Sequence, residues 1–453
     1  MSNADVVVVG AGLAGLTAAI ALAEAGARVE VVARGHAATH WTGGGFDIAA
    51  PDGSATSAAG VVALARRRGH PYARLRGEVL AAVSAVRVAV ADEGLAYIGE
   101  LDDPLRAIPT AIGGTRRAAI LPAAQALALA PWHPAERLVV CGIAGFKDFW
   151  PASIAASLRR AEVWERSGAV AEADRPGRVD AVLVELPGTA GRHNLNALEL
   201  ARSFDDPVWR GEALARIARA LDGAGGGSSA RRGAGLGRIA FPAVLGLNDH
   251  AAALEDATRI LPLPLFEVPL VSPSIPGLRL YQALRAALRR QGGRIVIGEP
   301  VVGITTEGRR VTSVAMSAAI RERVVRTDAL VLATGGIAGG GLIGRADGRL
   351  VEPLLGLPVE APQSDEWLAD DPFDPRGHPL EAAGIRTDAE LRPVGAKGKA
   401  VFDNVAVAGS LLAGQRYLVE RCGDGVAIAS GRLAAATVAP AAPRLALTAG
   451  ALA

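Results

Sequence analysis

An α/β fold on a mostly parallel sheet, with an inserted α+β cap, is predicted by three stretches that follow one another along the 453 residues. The first is an apolar run over residues 5–9 that enters Gly10-Ala11-Gly12-Leu13-Ala14-Gly15, then an Ala-rich helix and a strand over 29–32. The second is an apolar strand over 328–332 ending in Ala333-Thr334-Gly335-Gly336. The third is a strand over 404–408 ending in Gly409-Ser410, with Gly423-Asp424-Gly425 soon after at the head of an Ala-rich helix over 426–438.

Each stretch has a physical reason. Strand, glycine turn, helix and strand within about thirty residues is the frame of a Rossmann-like, dinucleotide-type fold. Gly10 permits the tight turn, Gly12 lets a phosphate reach the backbone, and Gly15 lets the helix sit close to the strand. Leu13 and Ala14 then offer free N–H groups at the positive end of the helix dipole. In the second stretch, small residues let the chain pass close to a bound cofactor. The third places a second helix start where its dipole could favour negative charge on a reduced flavin. Three such signals in this order predict a flavin domain of three layers.

One position breaks the pattern. The end of the second strand normally carries an acidic residue for a ribose hydroxyl, but here Ala33 and Arg34 stand there. A cofactor without adenosine, FMN, fits that end better than NAD, with FAD held without the contact as the alternative.

Composition narrows the rest. Basic and acidic residues balance at 48 against 46, so the whole-chain charge carries no nucleic-acid footprint. Two distant cysteines, Cys141 and Cys422, exclude a disulfide framework or an iron–sulfur cluster held by this chain alone. The seven histidines show no metal-ligand spacing, so no metal is expected. No leader is expected before the first strand, and no apolar run has the length of a spanning helix. The chain is expected in the cytoplasm.

The flavin domain is expected to be discontinuous, over 1–78, 272–350 and 384–440. The cap is expected over 79–271, a connecting segment over 351–383 and a flexible tail over 441–453. Within the cap, strands near 138–141 and 181–184 alternate with helices such as 213–221, and 222–237 is a Gly/Ser/Arg-rich loop. A helix over 280–291, a strand over 294–297 and a β-meander over 302–314 lead back. A second glycine-rich loop, Thr42-Gly43-Gly44-Gly45-Phe46-Asp47, is expected to pass the flavin together with His40.

Beyond these signals the chain resembles the B subunit of anaerobic glycerol-3-phosphate dehydrogenase. The matching residues include Thr39 to Asp47, Gly142-Ile143-Ala144-Gly145-Phe146-Lys147-Asp148-Phe149 and Ser272 to Leu280. They continue through Glu352-Pro353-Leu354-Leu355-Gly356-Leu357 and Gly384-Ile385-Arg386-Thr387-Asp388. The resemblance implies a flavoprotein subunit, with FMN, that relays electrons in a three-part respiratory complex. An FAD-bearing catalytic subunit would oxidise glycerol 3-phosphate to dihydroxyacetone phosphate. An iron–sulfur subunit would anchor the assembly at the inner face of the membrane and pass electrons to quinone. The run over 415–421 is less glycine-rich than the family pattern, which leaves partner docking open there.

The expected cofactor residues are therefore Gly10, Gly12, Leu13, Ala14, Gly15, Arg34, Thr42, Gly43, Gly44, Ala333, Thr334, Gly335, Gly409, Ser410, Gly423, Asp424 and Gly425. His40 is the one candidate for proton handling, against a packing histidine. Arg279, Arg386 and Arg392 could bind an anion or form structural ion pairs. A free-standing flavoprotein dehydrogenase of another small hydroxy or amino compound, and an assembly protein without cofactor, are the alternative functions.

Overall fold

The computed structural model describes residues 2–168, 174–224, 237–318 and 322–440. Its central sheet is built on strand Ser2–Val9, an unbroken apolar run after Asp5 that suits a strand covered on both faces. Beside it lie Val29–Ala33 and Glu322–Leu332, both parallel, with Val9 opposite Val32 on one side and Leu332 on the other. Arg294–Ile297 extends the sheet beyond Val29–Ala33, and Val405–Val407 pairs with Leu330–Leu332 on the far side. In chain order these five parallel strands read 3-2-1-4-5, so the connections diverge on either side of the first strand.

Strand Glu322–Leu332 has two partners along one edge. Its first half pairs antiparallel with Arg310–Ser317, which in turn pairs with Val301–Glu307. Its last three residues pair with Val405–Val407. Asn404 sits buried at this fork. Its side-chain amide donates to the carbonyls of Val311 and Asp328 at 2.8 and 2.7 Å, and its side-chain oxygen accepts from Val311 N at 2.9 Å. One side chain thus satisfies the backbone where the sheet divides.

Helices Leu13–Glu24, Ile275–Arg290 and Gly423–Val438 share one hydrophobic core with this sheet. The first and last approach closely, because a Cβ on Gly431 would lie 2.4 Å from the Ala14 carbonyl oxygen. The helix Val79–Ala91 also buries Val79, Val83, Val86 and Val90 in this core, although it falls inside the stretch expected to form the cap. Its apolar face is set by its neighbours in space, which a boundary drawn from a change in composition does not register.

The α+β insertion has a second core. Its main sheet orders Leu265–Val268, Gly237–Pro242, Arg137–Ile143 and Arg178–Val184, all parallel, with antiparallel pairing in short ladders such as Arg106–Pro109 with Thr115–Ala118. Residues 225–236 of the Gly/Ser/Arg loop and the tail 441–453 lie outside the described residues. No helix among the described residues is long and apolar enough to cross a membrane.

Replacing Asn404 with Ala would strand a buried N–H and two carbonyls at the fork. The expected cost is roughly 3 kcal/mol, read as an earlier midpoint in urea with an unchanged slope.

Candidate cofactor site

The carboxyl ends of the central strands converge on the start of the Leu13–Glu24 helix. Gly10 has φ +112°, and a Cβ there would lie 2.1 Å from the Ala333 carbonyl oxygen. A Cβ on Gly15 would lie 1.9 Å from Gly10 O. Both positions are closed to any side chain by backbone. Gly12 differs. Its φ of −82° suits any residue, and the nearest atom to an added Cβ is Ala37 Cβ at 3.4 Å. Conformation does not require glycine there, so its value lies in leaving the backbone bare.

What it leaves bare are hydrogen-bond donors. The amides of Gly12, Leu13, Ala14 and Gly15 meet no acceptor among the described residues, and Leu16 N makes the first helical bond, to Gly12 O. No side chain caps this helix and no acid occupies its first turn. Four N–H groups without a protein acceptor, at the positive helix end beside half-buried Gly12, are the donor set a phosphate needs.

Around it the other predicted residues gather by backbone contact. A Cβ on Gly409 would lie 2.9 Å from Ala14 Cβ. Gly409 N donates to Ser430 Oγ at 2.8 Å, and Gly336 N donates to Ser410 Oγ at 3.0 Å. Gly335 adopts φ +81° beside Gly339, and the Thr334 hydroxyl is buried without a partner. Arg34 is exposed at the rim, its guanidinium 3.6 Å from where a Cβ on Gly340 would stand. Ala33 O accepts from Gly298 N.

Two groups of expected cofactor residues are packed by protein. Thr42 and Gly43, both half-buried, and buried Gly44 pack against the cap and its exit helix. An added Cβ would come within 3.0 Å of Pro269 at Gly43 and 2.6 Å of Pro276 at Gly44, and the Thr42 hydroxyl donates to Thr39 O. The start of the last helix is also taken. Asp424 N and Gly425 N both donate to Asp47 O at 3.2 Å, and a Cβ on Gly425 would lie 2.1 Å from the Tyr72 hydroxyl. That dipole serves a protein carbonyl, which no spacing in the sequence announces. Gly423 is half-buried against Tyr417.

Arg116 and Gln125 join this place although no sequence motif marks them. Asp47 N donates to Asp424 Oδ2 at 2.9 Å, and Arg116 of the cap pairs with Asp47 Oδ1 at 2.8 Å. Burial, with the Asp47 charge beside it, raises the Asp424 carboxyl to about 7. The buried Gln125 donates to Gly43 O. Ser430, a polar residue in an Ala-rich helix, was the one visible signal.

His40 is half-buried, with its ring centroid 4.3 Å from Tyr281 and 4.6 Å from His36. Burial, His36 and Arg285 hold its pKa below the usual value, so it is neutral near pH 7. Arg279, Arg386 and Arg392 face Glu267, Glu360 and Asp388 in ion pairs. His70, Glu420 and Cys422 place three metal-type donors within 4.8 Å of one another. Tyr72 N donates to His70 Nδ1, which puts the neutral ring's proton on Nε2, facing Glu420 Oε2 at 3.2 Å. Burial keeps the Cys422 thiol protonated against the same carboxylate. The trio reads as a hydrogen-bond network.

The family model for the FAD binding domain matches residues 5–426. The B subunit of anaerobic glycerol-3-phosphate dehydrogenase from Yersinia pestis bv. Antiqua is 30% identical over 446 residues, covering 94% of this chain and 96% of that protein. This chain belongs to that B-subunit family. A probable member from Halobacterium salinarum is 32% identical and covers 97% of this chain and 98% of its own length. Among solved structures, 3-ketosteroid delta1-dehydrogenase from Sterolibacterium denitrificans is 12% identical with a TM-score of 0.45, covering 97% of this chain and 100% of that one. The chain is a flavin-dependent oxidoreductase by family.

Gly12→Asp is expected to put a carboxylate on those amides and abolish flavin retention while leaving the melting temperature within a few degrees. Gly15→Val, which meets backbone, is expected to unfold the domain. Flavin absorbance per folded protein separates the two. For Asp424, a folded pKa above the unfolded value means the native state gains stability as pH falls through about 7, saturating below the unfolded value near 3.8. Asp424→Asn is expected to remove that gain and to be more stable than the native chain at pH 8, as a melting series from pH 4 to 8 would show.

Proposed function

We propose that this chain is the flavin-bearing B subunit of an anaerobic glycerol-3-phosphate dehydrogenase. In this reading the complex oxidises sn-glycerol 3-phosphate to dihydroxyacetone phosphate, and this chain relays electrons toward a quinone. The observation that carries it is the uncapped start of the Leu13–Glu24 helix beside Gly12, in a chain aligned nearly end to end with named B-subunit proteins. Its partners are an FAD-bearing catalytic subunit and an iron–sulfur subunit that holds the assembly at the inner face of the membrane. Glycerol 3-phosphate, the quinone relay, these partners and the peripheral location are inferred together from the family.

We take FMN as the cofactor. The second strand ends in Ala33 and Arg34, without a carboxylate for an adenosine ribose. FAD is the alternative, favoured by the FAD binding domain model itself. When bound, the flavin supplies reversible oxidation–reduction chemistry, and the protein supplies position and electrostatics. The amides of residues 12–15 take the phosphate, with Arg34 at the rim as a further donor. Gly335, Ser410 and Gly409 keep the far wall low. Asp424, gripped by Asp47, holds a proton near neutrality at the closed end of the last helix.

One observation favours an assembly role without cofactor, the Asp47 carbonyl that fills the second helix start. Purification under mild conditions followed by acid release distinguishes the readings. A yellow protein releasing one FMN per chain is expected. FAD in the supernatant would transfer the proposal to the dinucleotide, and colourless protein that takes up neither flavin would leave the assembly role. Steady turnover of another small hydroxy or amino compound by the isolated chain with an artificial acceptor would favour a free-standing dehydrogenase over the relay.

A further inference from the structure

Large apolar side chains are exposed on two adjoining segments beside the last helix. Phe373 is 90% exposed and Leu368 67% on one segment, and Leu418 is 62% and Tyr417 37% exposed on the other. The segments touch. Arg416 donates to Arg376 O at 3.0 Å, and a Cβ on Gly377 would lie 3.1 Å from the Val419 side chain. The first segment itself carries mostly one sign of charge. Asp365, Glu366, Asp370 and Asp371 are exposed and have no basic partner among the described residues, while Asp374 pairs with Arg376.

We propose that this acidic, apolar-tipped segment docks a different subunit of the same complex, one presenting basic residues around an apolar pocket for Phe373. The proposal rests on the family-based function argued above. Scattered exposed apolar residues are ordinary, but a 90% exposed Phe and an exposed Leu368 on one short segment with four unpaired carboxylates have the mixed composition of an interface. The charge selects the occupant. Four unpaired carboxylates oppose an anionic bilayer or a nucleic acid. A symmetric contact with a second copy would set the same acids against each other. Tyr417–Glu420 leads directly to Cys422 and the last helix, and Glu420 O accepts from Ala50 N, just past the glycine-rich loop.

The test is co-purification of the full-length tagged chain with the FAD-bearing and iron–sulfur subunits of its own organism, co-expressed, with affinity measured at two salt concentrations. Leu368→Ser with Phe373→Ser is expected to weaken association about tenfold or more, with flavin content and melting temperature unchanged. Asp370→Asn with Asp371→Asn is expected to weaken it at about 50 mM salt and to have little effect at about 500 mM. Native affinity in both double variants, with the wild type binding, overturns the patch and leaves the proposed function standing. A wild-type chain that binds neither partner overturns that function and this proposal together. Concentration-dependent dimers abolished by Phe373→Ser in sedimentation would assign the patch to a second copy instead and overturn the proposal.

Discussion

Two carbonyl oxygens set the geometry on which the rest depends. Ala333 O and Gly10 O occupy the space that side chains on Gly10 and Gly15 would need, at 2.1 and 1.9 Å from the added Cβ atoms. That contact lets strand Glu322–Leu332 lie in register beside Ser2–Val9 and lets the first helix start directly over the strand ends. Because the approach is made by backbone, it leaves the helix's first amides without partners of their own. A packing requirement and a binding capability are thus the same feature.

The cap is held by buried polar contacts as well as apolar ones. Arg279 of the exit helix donates to both carboxylate oxygens of Glu267, on a cap strand, and to the carbonyls of Leu245 and Gly246. Both side chains are out of water, so the pair has specificity but modest net stability, while loss of one partner leaves an unpaired charge. Gly277 brings that helix against the Thr39 carbonyl, and Pro269 and Pro276 close on Gly43 and Gly44. The loop after the second strand is therefore clamped between the two cores.

At the opposite end of the site the last helix spends its dipole internally. Asp47 O takes two of its amides, the Asp47 carboxylate is balanced by Arg116 from the cap, and Asp424 is left with a carboxyl that ionises only near neutrality. The two helix starts differ in one respect. The first is uncapped and open, the second uncapped by any side chain yet filled by a neighbouring loop.

How much of this was legible in the sequence follows from how local each feature is. The glycine fingerprint, the strand ending in Ala333 and the strand before Gly409 are short-range patterns, readable because β pairing and tight turns restrict which residues fit. The ion-paired alternative for Arg279 was readable too, since a buried guanidinium needs a carboxylate. The partnership of Asp47 with Asp424, 377 residues away, was not. Nor was the fork at Asn404, because its value lies in three backbone groups from distant strands. The amino-acid order alone determined the parallel sheet, the bare amides at Gly12 and the family, since those depend on patterns within short stretches of chain. Only the tertiary structure decided which helix start stays open, where Val79–Ala91 belongs and which glycines serve packing. Those outcomes turn on which chain segment arrives at a given patch of backbone, and proximity in space is set by the whole fold.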